Sequence, residues 1–411
     1  MTIGRWIFFI DRIEASSYPV TETGYALLYR AWSRAREVGA SIHIVYPDTL
    51  LEWDADHATV EAHLLHGFGA MPYAFYSSQR ESYEAGSDLG SAPCHTEGRP
   101  ERIRLDEADV IVFRQETGPQ RIALLEALLS VETKLPVYLS PRLALAEGVG
   151  SKVLPGRIAP NRVPRGWSSA SVNGSATDKV AAALKFLEVE LGQPETAIAK
   201  PTNGDNGVGI TILGRSPLSD REPEDTASML ARLVQTHGDV IVQEYLPSVR
   251  RPADLADLEL AEVPTDRRDF GEVRFLLIDG EVPRDTNGQP LRCARRVPTD
   301  RSLLADSGIS HPTTLSAEEL EFLAGVGKAY RQLGIKFGGG DLIRTADPSR
   351  PFLFTDAAQS VCGHAVVTGA LNGAPYIVVD LVLDSVERSV EAFRRFRRPP
   401  RRPQSSAAGM S

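Results

Sequence analysis

At 411 residues the chain is long enough for two or three domains that each bury a core, and 42% hydrophobic with 24% charged residues is the composition of an ordinary soluble protein. A net charge of −9 speaks against a nucleic-acid surface, which needs a basic face. Cys94, Cys293 and Cys362 are too scattered for a zinc site or a disulfide framework, and the apolar run Trp6–Ile10 is too short for a membrane span or a signal peptide, so a reducing cytoplasm is expected.

Arg5–Asp11 reads as a buried parallel strand: a short continuous apolar run ending in a carboxylate, and ligands of open α/β sheets collect at such strand ends. Asp11 is there either a substrate contact or a loop cap. Ser16-Ser17-Tyr18-Pro19 makes a loop, Thr23 caps a helix carrying Ala26, Leu27, Leu28, Ala31 and Ala35, and Ser41–Tyr46 is a second strand. Polar, Gly- and Ser-rich segments interrupt residues 51–105. A helix is expected at Ala55–Leu65, where His63 and His66 read as a solvated face rather than a metal site, since no third ligand is near. A strand at Asp109–Arg114, a helix at Ile122–Leu129 and a strand at Pro136–Leu139 complete a small α/β domain.

Pro141–Gly174, rich in Pro, Gly and Ser and carrying Lys152, is the expected crossing into the next domain. A helix at Asp178–Leu187 leads to the most informative stretch, Ala199-Lys200-Pro201-Thr202-Asn203-Gly204-Asp205-Asn206-Gly207-Val208-Gly209-Ile210. Here an apolar strand delivers Lys200 into a loop holding Gly204, Gly207 and Gly209. Glycine admits positive φ and removes side-chain bulk, so such a loop can bend over a polyphosphate and aim its N–H groups at the oxygens. It is neither a Walker loop nor a Rossmann fingerprint, and taken alone it is equally a hairpin turn between Ile198–Lys200 and Ile210–Leu213.

Beyond it a helix is expected at Ser228–Thr236 and a strand at Asp239–Pro247, whose Gln243 to Leu246 leave the core. Residues 250–269 read as an exposed loop. The strand Glu272–Ile278, carrying Arg274, runs into Asp279-Gly280, the pair that best tolerates a tight hairpin turn. Leu291–Pro298 holds Arg292, Arg295 and Arg296, with Arg301 behind, and arginines beside a phosphate loop have an electrostatic reason to be there. A helix at Ser316–Leu333 stops at Gly334. Two strands follow, Ile335–Ile343 and Pro351–Asp356. If they pair, Asp341 and Asp356 reach comparable depths, as two hard oxygen ligands for Mg²⁺ beside a polyphosphate or as two solvent-facing hairpin aspartates. A helical region from Ala374 precedes a low-complexity basic tail.

This order, Lys-Pro with a glycine loop, a strand ending Gln-Glu-Tyr-Leu-Pro, an Arg-bearing Asp-Gly hairpin, Arg-Val-Pro and two terminal carboxylates, resembles the ATP-grasp superfamily, and within it the bacterial glutathione synthetase type. The resemblance runs from the first strand to Gly363. It implies an α/β (α+β) protein: an N-terminal pre-ATP-grasp substrate domain (1–140), a lid domain (141–240), a C-terminal ATP-grasp domain (241–390) and a disordered basic tail (391–411). By position, Lys152 and Lys200 look like the two lysines on the ATP phosphates, Gly204, Gly207 and Gly209 like the lid over them, and Gln243, Glu244, Tyr245 and Leu246 like the hinge lining adenine and ribose. Arg274, Arg296 and Arg301 resemble the catalytic, substrate-anion arginines, Asp341 and Asp356 the first two magnesium ligands. Asp11, Ser17 and Tyr18 fall where such enzymes receive part of the substrate.

The chemistry implied is transfer of the γ-phosphoryl of ATP to a small-molecule carboxylate and attack of an amine on the acylphosphate, with Mg²⁺, on an amino-acid or peptide-like substrate of specialised metabolism. Such a protein is expected in the cytoplasm as a dimer or tetramer, with no nucleic-acid or membrane partner. Two departures stand out. Asp356-Ala357-Ala358 lacks the family's amide ligand, and Gln359, one residue late, reaches the metal only if the strand bulges. Residues 302–308 lack the Asn and paired glycines of the acceptor-side loop. The alternatives are glutathione synthetase proper and a non-catalytic ATP-binding protein.

Overall fold

The computed structural model describes residues 4–10, 19–46, 51–53, 58–68, 74–76, 83–85, 94–95, 99–114, 121–147, 150–202, 209–214, 225–246, 272–298, 308–345, 347–359, 365–374 and 376–397. The first part of the chain runs β1 (Gly4–Ile10), α1 (Pro19–Glu37), β2 (Ala40–Val45), β3 (Leu51–Trp53), β4 (Ala58–Leu64), β5 (Glu101–Arg104), β6 (Val110–Arg114), α2 (Arg121–Val131), β7 (Val137–Tyr138) and α3 (Pro141–Glu147). Its sheet has the order β7-β6-β1-β2-β4-β3, with β5 also on β4, and the first four strands are parallel. Strand β1 is apolar throughout because both faces are covered: Trp6, Phe8 and Ile10 enter one core, Ile7 and Phe9 the other.

The helix expected at Ala55–Leu65 is instead strand β4. Its exposure alternates along Ala58-Thr59-Val60-Glu61-Ala62, the period of two of a half-buried strand, and it pairs antiparallel with β2, β3 and β5. His63 therefore lies opposite Ile44, with its ring against Tyr46.

The middle part contains β8 (Gly150–Ser151), β9 (Gly166–Ser168), α4 (Ala176–Val189), β10 (Thr196–Pro201), β11 (Thr211–Gly214), α5 (Thr226–His237) and β12 (Val240–Glu244). Helix α4 starts where Ser175 and Asp178 exchange hydrogen bonds in a capping box. Strands β9-β12-β10-β11 form an antiparallel sheet, and Ala183, Leu187, Leu230 and Val234 of α4 and α5 pack against Ala197, Ala199, Val240 and Val242. The boundary expected at 240/241 falls inside β12, which belongs with this sheet.

The last part holds β13 (Glu272–Ile278), β14 (Cys293–Pro298), β15 (Gly308–Thr313), α6 (Ala317–Gln332), β16 (Phe337–Arg344), β17 (Phe352–Ala358), α7 (Ala365–Leu371) and α8 (Ile377–Arg397). An antiparallel sheet of order β8-β17-β16-β13-β14-β15 packs one face on α6 through Phe275, Leu277, Leu323, Val326, Tyr330 and Phe354. At the turn after β13, Asp279 and Gly280 have φ of 51° and 75°, the positive values a tight turn demands of these residues. The N-terminus of α6 is fixed by a buried ion pair in which Arg344 Nε donates to Glu319 Oε1 at 2.9 Å.

Helix α8 corrects the expected tail. It continues to Arg397, seven residues into the segment 391–411, and lays Val378, Val382, Leu383, Val386 and Val390 into the core shared with Trp6 and Phe8 of β1. Arg394 donates to Asp109 at 2.6 Å, which anchors the last turn. The C-terminal helix thus closes the first domain as well as the third.

Candidate active site

Four charged side chains stand in one row across the six-stranded sheet. Arg274 on β13 is in register with Asp341 on β16, and Asp341 with Asp356 on β17. Strand β8 extends the row, because Gly150 and Ser151 face Ala358 and Ala357, so Lys152 emerges beside Asp356. Cross-strand partners share a face of the sheet. The order is therefore cation, carboxylate, carboxylate, cation, with Arg274 Nε 3.7 Å from Asp341 Oδ1 and Lys152 Nζ 3.6 Å from Asp356 Oδ2.

A β-bulge puts Asp356 in that row. Leu342 pairs with Phe354 and Asp341 with Asp356, so Thr355 is an extra residue on β17. Phe352 and Phe354 lie in the α6-side core, and strict alternation would send Asp356 there too. The bulge inverts the parity: Asp356 turns to the face of Asp341, and Ala357 takes the core position. It also leaves the Thr355 carbonyl outside the ladder, where Lys200 Nζ donates to it at 2.9 Å.

The bulge lies before Asp356, not after it. From Asp356 the pairing is regular, Ala357 with Gly340 and Ala358 with Gly339, so Ala358 shares the face of Asp356 between Gly150 and Gly339. The position of the missing amide is a floor of small residues. Gln359, buried, follows directly after Ala358, the last residue of the strand.

Lys200 comes from the other sheet. It is on β10 opposite Ile241, and Lys152 and Lys200 are both buried. Burial pushes the Lys200 ammonium down to about 8, and Lys152 adds to the push against the pull of Asp356 and Asp341. Burial, together with Glu272 and Asp356, drives the Asp341 carboxyl well above the usual range, opposed by Arg274. Glu272 is a site residue the motif reading missed. Its Oε1 accepts from Arg274 Nε at 3.0 Å and from the Nη2 at 2.5 Å. Its position two before Arg274 on a strand, hence on the same face, was the available signal.

Gln243 and Glu244 are buried at the end of β12, and Tyr245 and Leu246 follow. Although burial acts the other way, hydrogen bonds from Arg350 and Arg165 hold Glu244 below the usual carboxylate range. Burial pushes the Tyr245 phenol up to about 12.

The remaining expected residues divide. Gly209 has φ +78°, a left-handed value that favours glycine. Arg296 stands on β14 across from Glu272. Asp11, Ser17, Tyr18, Gly204, Gly207 and Arg301 lie outside the described residues. Arg292 is drawn away from the row: its guanidinium donates to Leu371 O at 2.8 Å, tying β14 to the end of α7.

Among the described residues no group of three or more His, Cys, Asp or Glu side chains is arranged to hold a metal. Asp341 and Asp356 nevertheless fit Mg²⁺, a cation that accepts one or two carboxylates and completes its octahedron with phosphate oxygens and water. Burial first, then Glu272 and Asp356, raise the Asp341 carboxyl, and a cation bound between the two carboxylates would favour their charged forms.

No family model matches the chain. A curated relative, glutathione synthetase of Agrobacterium fabrum, is 31% identical over 150 residues; the match spans 36% of this chain and 37% of the relative. Among solved structures, D-cycloserine synthetase DcsG superposes over 95% of this chain and 100% of its own with a TM-score of 0.52 at 15% identity. D-alanyl-alanine synthetase A of Vibrio cholerae gives 0.53 at 9% identity, with 95% and 100% covered, and the VanG D-Ala:D-Ser ligase of Enterococcus faecalis gives 0.52 at 12%, with 94% and 99% covered. The likeness runs through the N-terminal α/β sheet and both antiparallel sheets, and the chain has the ATP-grasp fold.

Proposed function

We propose that this protein is an ATP-dependent ligase that joins a small carboxylic acid to an amine through an acylphosphate. The observation that carries the reading is the convergence of Lys152, Lys200, Asp341, Asp356 and Arg274 from four chain segments at the interface of two antiparallel sheets. The three fold relatives above are named as synthetases or ligases, which supports the reaction class.

A carboxylate and an amine do not condense in water because oxide is a poor leaving group; phosphorylation of the acid provides a better one. Transfer of the γ-phosphoryl creates no new demand for an acid or base, so catalysis is positioning and charge neutralisation. Lys152 and Lys200 would neutralise phosphate oxygens. To do so they exchange Asp356 and the Thr355 carbonyl for the nucleotide. Arg274, held by Glu272, presents a fixed cation at the end of the row for the anionic acid or its acylphosphate. Asp341 and Asp356 would hold Mg²⁺, which when bound draws charge from the transferring phosphoryl group. The residues Gly204 and Gly207 supply the lid, Gln243 to Leu246 the base pocket, Arg296 and Arg301 further anion contacts, and Asp11, Ser17 and Tyr18 part of the acid site. The protein works in the cytoplasm as a homo-oligomer.

The test is phosphate release from ATP and Mg²⁺ against a panel of acids and amines. Release that needs both a particular acid and a particular amine supports the ligase; ATP binding with no turnover across the panel removes it in favour of a non-catalytic ATP-binding protein. The A. fabrum match favours one second reading, glutathione synthetase itself. Incubation with γ-glutamylcysteine, glycine and ATP would then yield the tripeptide, and its absence excludes that product.

A further inference from the structure

Among the described residues, side-chain contacts tie the four-stranded sheet to the six-stranded sheet at two places, and Lys152 N adds a backbone hydrogen bond to Thr202 O at 3.5 Å beside the first. At the phosphate end Lys200 Nζ rests on the Thr355 carbonyl. At the far end Glu244, the last residue of β12, accepts at 2.7 Å from Arg350, which sits in the turn joining β16 to β17. Glu244 and Lys200 are offset by three residues along β10, where Ala197 is the partner of Glu244. The ties are thus about 10 Å apart at ~3.4 Å per residue. In the reading proposed above, on which this inference rests, the nucleotide lies along that interval.

The two ties differ in fate. Lys200 must leave Thr355 to meet a phosphate, whereas nothing in the proposed reaction asks Glu244 to release Arg350. Glu244 has a second partner, Arg165, whose backbone N–H and Nε donate to it at 2.7 and 3.0 Å. Arg165 immediately precedes β9 of the same sheet as Glu244, so that pair survives any movement of the lid. Of these two partners of Glu244, Arg350 is the one that belongs to the sheet carrying Asp341 and Asp356. It is oriented in advance: its Nε reaches Asp347 Oδ2 at 3.3 Å, and Asp347 Oδ1 accepts from Ser349 N at 2.8 Å and closes the turn. The Glu244 side chain is 7% exposed and that of Arg350 27%, so the pair is sheltered from the screening that weakens surface ion pairs.

We infer that Arg350 is a positioning residue for the base end of the nucleotide: by gripping Glu244 it sets where Gln243–Leu246 leaves the lid sheet relative to the strands bearing Asp341 and Asp356. The turn between the metal-site strands and the base pocket are thereby one mechanical unit.

The experiment is equilibrium binding of ADP and, separately, of inorganic tripolyphosphate to the full chain without Mg²⁺, for the wild type, Arg350→Ala and Arg350→Lys. Arg350→Ala is expected to weaken ADP about tenfold while tripolyphosphate, held at the lysine end, changes less than twofold; Arg350→Lys recovers part of the loss, since it keeps the charge without the fork. An equal loss for both ligands marks a general loosening and overturns the inference, as does unchanged ADP affinity. Circular dichroism and thermal melting check the fold. Should Arg350→Ala melt below the assay temperature, Arg350→Gln against Arg350→Lys carries the same comparison. A wild type that binds tripolyphosphate but not ADP overturns the nucleotide reading itself, which separates that failure from this one.

Discussion

Replacing Lys200 by methionine keeps the length of the stem and removes the ammonium. In the folded chain Lys200 is 6% exposed, and burial lowers its pKa from 10.5 to about 8. At about 1.4 kcal/mol per tenfold change in equilibrium, the charged form is disfavoured in the fold by about 3 kcal/mol relative to the unfolded chain. Loss of the hydrogen bond to the Thr355 carbonyl returns about 1–2 kcal/mol of that. Lys200→Met is therefore expected to be more stable than the wild type at pH 7, by about 1–2 kcal/mol, and to have no ligase activity.

The pH dependence follows from the same numbers. Below pH 8 the lysine is protonated in both states and the penalty is complete. Between 8 and 10.5 the unfolded chain retains a proton that the folded chain has lost, so the wild type gains stability as pH rises. The advantage of the methionine variant shrinks across that window. Urea denaturation followed by tryptophan fluorescence at pH 7, 8.5 and 10 reads it directly. A variant less stable than the wild type at pH 7, or one whose advantage does not shrink by pH 10, would refute a lysine held charged against desolvation for the sake of function.

Three further perturbations test other parts of the site and fold. Asp341→Asn should lower turnover by a hundredfold or more with a native circular dichroism spectrum, because it removes the anion and leaves the shape; near-normal turnover would take Asp341 out of the proposed metal site. Gly340→Ala should destabilise by about 1–3 kcal/mol in a thermal or urea melt, since its Cβ would run into the Asp356 carbonyl and the rings of Phe354 and Phe275. Glu319→Ala strands Arg344, which is 2% exposed, beside Thr313 and costs about 3–5 kcal/mol; a melt within about 1 kcal/mol of the wild type would contradict the buried pair.

The amino-acid sequence by itself determined the parts of this protein whose signal is local. The apolar run at β1, the Asp-Gly turn, the helix stops at glycine and the depth of Lys200 behind its strand all follow from backbone preference and burial periodicity, which a few neighbouring residues express. The pairing that brings Asp341 to Asp356 was also legible, as two strands joined by a short polar turn. Tertiary structure decided what depends on partners distant in the chain. Residues 58–64 became a strand because three other strands offered ladder positions to a segment of ambiguous pattern. Residues 391–397 became helix because β1 and α8 share a core. The bulge at Thr355 turned Asp356 from the core face to the site, where a periodic reading places it with Phe354. Lys152 reached Asp356 through an edge pairing of two residues, and Glu244 met Arg350 across a gap of 106 residues. Side-chain alternation is a property of one strand; which carboxylate meets which cation is a property of how strands are registered, and only the folded sheets set that.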